Sequence, residues 1–328
     1  QNSVLGALNL GSFAYVRNDR PGDIGELTAD YNCVYTVSNG AVGVLLTLDP
    51  IGGGSNIFQN LYRWSQVTGN DSHSMNQNPR FANPAADDFH PQSPAGRYTA
   101  ASGFITNAAD AVSPLLDNGN PASTFIAEPA PNGGRINIGM HGNQGQASLT
   151  PTNGSIVLLT LNDGGSADGT ITLRWGAVGV TAIQSVYIDF SNDGGATWSN
   201  VATNVAANIG SYVWDSIPYG RAAAGLWRVT SQSDTGTVAV SSQFFALRNG
   251  GSIPYYVNDL NQNNDMYCTE PGLESNNGFL PRLPKNSIQS LVDSVDLEPG
   301  DVVYVDTGAY ATNFNVVIGQ FDSGGATN

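Results

Sequence analysis

The chain has 328 residues, of which 12% are charged, and 27 Asp and Glu outnumber 12 Lys and Arg for a formal net charge of −15. Such an acidic surface repels nucleic-acid phosphates and anionic membranes, so neither is expected as a partner. No run of apolar residues approaches the roughly 18 needed to cross a bilayer, so membrane insertion is not expected either.

Most of the chain consists of short β-branched and aromatic runs between clusters of Gly, Asn, Asp and Pro. This pattern predicts an all-β protein. Residues 1–150 are rich in loops, with isolated strand-like runs at 33–37 and 42–48. Long irregular loops are unusual in a compact domain but normal in a solenoid, where short strands stack and the loops project. We therefore predict solenoid coils in this region.

Residues 151–250 are the easiest part to interpret. They contain seven strand-like runs, at 155–161, 169–175, 184–190, 197–203, 210–216, 225–231 and 239–247. Seven short strands within about 100 residues are typical of an Ig-like or fibronectin-III-like β-sandwich. Trp175, Trp214 and Trp227 are expected in its core rather than on a sugar-stacking surface.

The stretch SNDGGATW at 191–198 fits the S-x-D-x-G-x-T-W spacing of the "Asp box" repeated in sialidases. Its residues are Ser191, Asp193, Gly195, Thr197 and Trp198. Sialidases repeat the box and also need an arginine cluster, a nucleophile and an acid. The chain has one copy, so we predict a hairpin turn stabilised by side-chain bonds to its own backbone.

The loop at 258–277 carries four acidic residues, Asp259, Asp265, Glu270 and Glu274, among many Asn. Hard oxygen ligands on a Gly-containing loop suit Ca²⁺, although the spacing is not that of an EF-hand. An ordinary polar loop is the alternative. Calcium is the one ion that the sequence suggests, and no other cofactor is expected.

A short amphipathic helix is predicted next, from four apolar residues at i, i+3, i+4 and i+7: Ile288, Leu291, Val292 and Val295. Asn286 is the expected N-cap, with Gln289 three residues on as in a capping box. Lys285, the only lysine, is expected as a solvated charge beside this helix. A strand at 302–306 follows it.

The two cysteines, Cys33 and Cys268, match no metal-binding spacing and are widely separated. Two buried free thiols are therefore expected rather than a disulfide, which stays open as the alternative.

The segment from 255 to 310, with YYVND, PKNSIQSLVD and GDVVYVDTGAY, resembles the opening of right-handed parallel β-helix proteins of the pectate-lyase-like superfamily. Residues 28–35, 64–96, 113–123 and 128–143 are similar to the closing coils of large bacterial secreted β-helix proteins. The resemblance implies three domains. These are the last coils of a β-helix (1–150), an Ig-like module (151–250), and the cap helix and first coils of another β-helix (251–328).

This order favours a non-enzymatic structural or adhesive protein, extracellular or on the cell surface. It would be one unit of a tandem array or of a fibre in which copies stack head to tail. The alternative is a carbohydrate-active protein, either like a polysaccharide lyase with catalytic coils outside this sequence or a polysaccharide-binding protein. Binding would use exposed aromatics such as Tyr62, Trp64 or Tyr98.

Overall fold

The structure, a computed structural model, describes residues 1–9, 11–19, 27–37, 40–47, 54–179, 183–295, 297–310 and 315–318. The described residues are mostly strands with few helices, which confirms the all-β prediction. The sheets are small and none closes on itself, so the β-helix and Ig-like assignments remain predictions. The predicted coils after residue 310, apart from 315–318, lie outside the described residues, as does the end of the predicted run at 42–48.

The N-terminal segment (1–150) holds nine strands and one α-helix among its described residues. They are β1 (Val4–Ala7), β2 (Phe13–Asp19), β3 (Cys33–Thr36), β4 (Ala41–Thr47), β5 (Gly54–Phe58), α1 (Leu61–Thr68), β6 (Phe81–Asn83), β7 (Asp88–Pro91), β8 (Arg97–Thr99) and β9 (Gly103–Ile105). Its loops are long, as the sequence suggested.

Parallel pairing organises the first part of this segment. Val4 of β1 pairs with Cys33 of β3, and Phe13 of β2 pairs with Ala41 of β4. A third pass continues the first ladder, because Cys33 forms a parallel bridge with Met75. The β1–β3 and β2–β4 pairs join residues at nearly the same separation along the chain, whereas the pass from Cys33 to Met75 is longer, so the chain stacks on itself in parallel passes of unequal length.

The helix α1 was not predicted, because it is only eight residues long. Its start is capped by Asn60, whose side chain accepts from the backbone N of Arg63, and it ends at Gly69 with a left-handed φ of 68°. Leu61 and Trp64 lie one turn apart and are both buried in the core of the stacked strands. Tertiary packing of this face, rather than helix propensity, stabilises so short a helix.

The central segment (151–250) forms two sheets. Its strands are β10 (Ser155–Leu158), β11 (Ser166–Ala167), β12 (Thr170–Val178), β13 (Ser185–Ser191), β14 (Ser199–Ala206), β15 (Ser211–Asp215), β16 (Ala222–Ser231), β17 (Val238–Val240) and β18 (Phe245–Leu247). One sheet has the order β10-β12-β15, and the other has the order β11-β18-β16-β13-β14, with β17 also paired to β16. Every predicted run here contains a strand, and the last one contains two.

The inner faces of both sheets bury one hydrophobic core, which includes Trp175, Trp214 and Trp227. Each of these side chains is at most 2% exposed. The indole N–H of Trp175 donates to the carbonyl of Ala207, and that of Trp227 donates to the carbonyl of Thr160. The three tryptophans therefore supply core volume, as predicted.

The C-terminal segment (251–328) contains β19 (Pro254–Val257), the helix α2 (Ile288–Val292) and β20 (Val302–Val305) among its described residues. The two strands are parallel, with Pro254 opposite Val302. The outward-facing Tyr256 and Tyr304 stack with their ring centroids 5.6 Å apart. A parallel pair whose intervening chain crosses back over the strands is the same arrangement as in the N-terminal segment.

The predicted cap of α2 was wrong by one residue. The N-cap is Ser287, whose Oγ accepts from the backbone N of Ser290 at 3.1 Å. Because the helix begins at Ile288, Asn286 lies outside it, and its side-chain oxygen is buried without a hydrogen bond in the described part of the chain. Gln289 instead donates to Asp293 at 2.7 Å.

The apolar stripe of this helix lies largely as predicted. Leu291 is fully buried in the C-terminal core, and Ile288 and Val295 pack against that core from its edge. Val292 is also buried, whereas Val295 lies beyond the end of the helix.

Candidate functional site

The SNDGGATW turn joins β13 to β14, which pair antiparallel. Thr197 donates to Asp193 through its backbone N at 2.9 Å and through its hydroxyl at 2.6 Å, and Ser191 Oγ donates to Asp193 at 2.7 Å. These bonds lower the pKa of Asp193 to about 2, and the bonds from Thr197 contribute most to the shift. Gly195 has a φ of 93° and donates to Ser191 Oγ, while Trp198 carries the guanidinium of Arg228 over its ring at 4.2 Å. The polar side chains of the motif therefore serve the turn itself.

The four acidic residues suggested for calcium do not come together. Within the described residues no group of three or more His, Cys, Asp or Glu could hold a metal ion. Asp259 accepts from the backbone N of Asn261 and of Ala309, while Asp265 accepts from the side chain of Asn258. Glu270 and Glu274 contribute backbone carbonyls to hydrogen bonds instead of carboxylates.

Lys285 is buried, contrary to the prediction of a solvated charge. Lys285 is only 8% exposed, and its Nζ donates to the carbonyl of Glu274 at 2.8 Å. Burial lowers the pKa of Lys285, and the nearby Glu274 and Asp293 oppose that shift. The lysine therefore ties the acidic loop to the residues just before α2.

Asp306, directly after β20, organises the same loop. Its carboxylate accepts from the backbone N of Met266, Tyr267 and Cys268, at 2.7, 2.8 and 2.6 Å. Burial alone would raise its pKa, but these N–H groups hold the pKa at about 2. The side chain is thus an ionised anchor that fixes the loop to the end of a strand.

Both cysteines are free and buried, as the sequence favoured. Burial raises the pKa of Cys33 and of Cys268 to about 12 in each case. Neither thiol has the lowered pKa of a reactive cysteine.

The joint between the central and C-terminal segments is a buried ion pair. Arg248, just after β18, donates to both carboxylate oxygens of Asp301, at 2.5 and 2.7 Å. Asp301 also accepts from the backbone N of Ile253 at 2.8 Å and of Glu298 at 3.0 Å. Burial would raise the pKa of Asp301, but Arg248 and these N–H groups lower it overall. Two side chains 53 positions apart therefore lock one segment against the next.

The joint between the N-terminal and central segments centres on Asp163. Its Oδ2 accepts from the backbone N of Leu61 at 2.7 Å, which adds a second cap to α1, and from Asn76 Nδ2 at 2.8 Å. Burial nevertheless raises the pKa of Asp163 to about 6. Beside it, Gln77 Nε2 donates to the carbonyl of Leu158 at 3.1 Å.

A cleft of about 570 Å³ lies between these two segments. Its N-terminal wall includes Tyr35, Gln59 and Gln77, and its central wall includes Asp163 and Gln243. A concave site of this size at a junction between domains is where small ligands most often bind. Sequence reasoning missed it because its walls come from widely separated stretches of chain, and no local motif marks them.

The aromatics suggested for polysaccharide binding do not form an exposed surface. Trp64 is fully buried, and its indole N–H donates to the buried Asp71. Tyr62 is half-buried and packs against the core of the central segment. Tyr98 is half-buried beside Phe104, with ring centroids 5.7 Å apart. Trp64 is therefore excluded as a sugar platform, because a buried ring cannot contact a ligand.

The chain matches no protein-family model, and searches of the curated proteins and of the solved structures gave no match either. No helix in the described part of the chain has the length and apolar character required to cross a membrane.

Proposed function

We propose that this chain is a structural or adhesive unit of an extracellular or cell-surface protein, built from coils of a right-handed parallel β-helix and an Ig-like module. Units repeat in tandem along one polypeptide or associate head to tail, so the chain's principal partner is another copy of itself. The role is mechanical rather than enzymatic.

The observation that carries this proposal is the parallel stacking of successive passes of the chain. Val4 pairs with Cys33 and Phe13 with Ala41, at almost equal separations along the chain, and Met75 extends the first ladder. In a solenoid each coil pairs only with its neighbours, so the array can extend wherever a coil edge meets another coil. β20 has such an edge, because it pairs only with β19 among the described strands.

The strand order of the central segment supports an Ig-like module. In that architecture, two antiparallel sheets of three or four main strands pack over one core. The β10-β12-β15 sheet and the β14-β13-β16-β18 strands have this division, and one hydrophobic cluster spans both. The short β11 is parallel to β18 at the sheet edge.

The two joints support a mechanical role. Arg248 with Asp301, and Asp163 with Asn76 and Leu61, connect the three segments by hydrogen bonds. Moving the segments apart would break these hydrogen bonds and leave buried polar groups unsatisfied, at a cost of about 1–3 kcal/mol for each group. A tensile load would pass from the N-terminal segment through the central segment to the C-terminal segment.

Electron microscopy of the purified chain, and of the native material, tests the proposal. We expect filaments or extended rods with a regular axial repeat, from one preparation or both. Compact single particles in both preparations would contradict it.

A charged variant tests whether copies of the chain associate through the exposed edge of β20. Val302 and Val305 are 42% and 36% exposed on β20, so Val302→Lys with Val305→Lys should abolish end-to-end association of separate chains. Val213→Lys is the matched control, because Val213 is 64% exposed on β15 of the central segment. Equal association by both variants would exclude the β20 edge.

A further inference from the structure

We propose that the 570 Å³ cleft between the N-terminal and central segments is a binding site for a neutral saccharide. It is separate from the strand edges that the assembly proposal uses.

The cleft combines an apolar patch with polar side chains. On the central side, Val238 and Val240 are 45% and 43% exposed, and they border the cleft beside the buried Ile156 and Leu158. The N-terminal wall is made of hydroxyl and amide side chains, and the central wall adds Asn162, Asp163, Ser242 and Gln243. A pyranose ring has the matching shape, with apolar C–H groups on its faces and hydroxyls around its edge. The cleft therefore suits a ligand with both kinds of surface.

Several polar groups in the cleft are available to a ligand. Tyr35, Gln59 and Gln243 make no side-chain hydrogen bond within the described residues, and Gln77 uses only its Nε2, which leaves its Oε1 to accept. A glutamine amide both donates and accepts, so it can pair with two neighbouring sugar hydroxyls. Tyr35 adds a hydroxyl that can do either.

The charge of the cleft selects against acidic sugars. No Lys or Arg is among its described lining residues, and Asp163 is the one ionisable carboxyl there. A uronate or sialic acid would be placed beside this carboxyl with no cation to compensate, in a protein of net charge −15. A neutral saccharide meets no such repulsion.

Isothermal titration calorimetry on the full chain at pH 7 tests the site, with cellotetraose, xylotetraose and mannotetraose as neutral probes and tetragalacturonate as the acidic one. We expect at least one neutral probe to bind and tetragalacturonate not to bind. Tyr35→Phe and Gln243→Ala should each weaken that binding about 3- to 10-fold, as expected for one lost hydrogen bond. Neither side chain has an internal bond to lose, so both variants should fold.

Matched controls remove the same groups elsewhere. Tyr187→Phe on β13 and Gln66→Ala on α1 should leave the affinity unchanged, because neither residue lines the cleft. The proposal is overturned if no neutral probe binds, if tetragalacturonate binds as tightly, or if binding survives both cleft variants. Because calorimetry reads binding to the dissolved chain, its outcome is independent of whether filaments form.

Discussion

Replacing Asp301 by alanine should open the joint between the central and C-terminal segments. Both carboxylate oxygens of Asp301 accept from the guanidinium of Arg248, whose side chain is 10% exposed, and the Asp301 side chain is 3% exposed. Removing one partner of a buried pair leaves the other charge uncompensated and costs about 3–5 kcal/mol. Part of that cost comes from the backbone N–H groups of Ile253 and Glu298, which lose their acceptor.

Hydrogen exchange at the amides of Ile253 and Glu298 measures this directly, because both donate to Asp301. A loss of about 3 kcal/mol in opening free energy corresponds to exchange roughly 100-fold faster. Asp87→Asn is the control, because Asp87 is exposed and the structure shows no side-chain bond to it. An increase below about tenfold, or an equal increase in the control, would refute the reasoning.

A double-mutant cycle with Arg248→Met separates the ion pair from other effects. The double variant should lose less stability than the two single losses combined, because neither charge is then left buried alone. The pH dependence has a definite sign, since the pKa of Asp301 is lowered on folding. Its contribution is complete above the unfolded pKa of about 4 and is lost as pH falls through the folded value.

Three further outcomes are expected. The carboxyl of Asp193 should titrate near pH 2 when followed by NMR. Its contribution to folding stability is therefore complete above its unfolded pKa and is lost as pH falls through about 2. Cys33 and Cys268 should resist iodoacetamide in the native protein and react in urea, because burial raises the pKa of both thiols to about 12. Gly43→Ala should cost about 1–3 kcal/mol in urea unfolding, because its Cβ would lie 2.5 Å from the ring of Trp64.

Each of these has an outcome that contradicts it. A midpoint for Asp193 near 4 would show that the turn does not stabilise its charge. Rapid native alkylation of either thiol would show that it is accessible. For Gly43, the control is Gly145→Ala, where a Cβ meets nothing within 4 Å and φ is not positive, and equal losses would contradict the packing argument.

Local sequence patterns were enough to predict the strands of the central segment and the SNDGGATW turn. Alternation with period two is a property of neighbouring residues, and so are the bonds from Ser191 and Thr197 to Asp193, which span at most four positions. The cap of α2 shows the limit of such reasoning. Two adjacent residues could each have capped the helix, and the start of the helix decided for Ser287 over Asn286.

The joints and the cleft depend on packing between distant parts of the chain. Asp163 and Asn76 are 87 positions apart, and Arg248 and Asp301 are 53 apart, so no local spacing marks either pair. Burial also changed the role of single residues, since Lys285 and Trp64 were expected at the surface and lie inside. Periodicity thus predicted which segments are strands, whereas the way the sheets pack determined which polar groups meet and which remain free in the cleft. The physical reason is that the energy of a contact between distant residues depends on register and burial, which neighbouring residues do not specify.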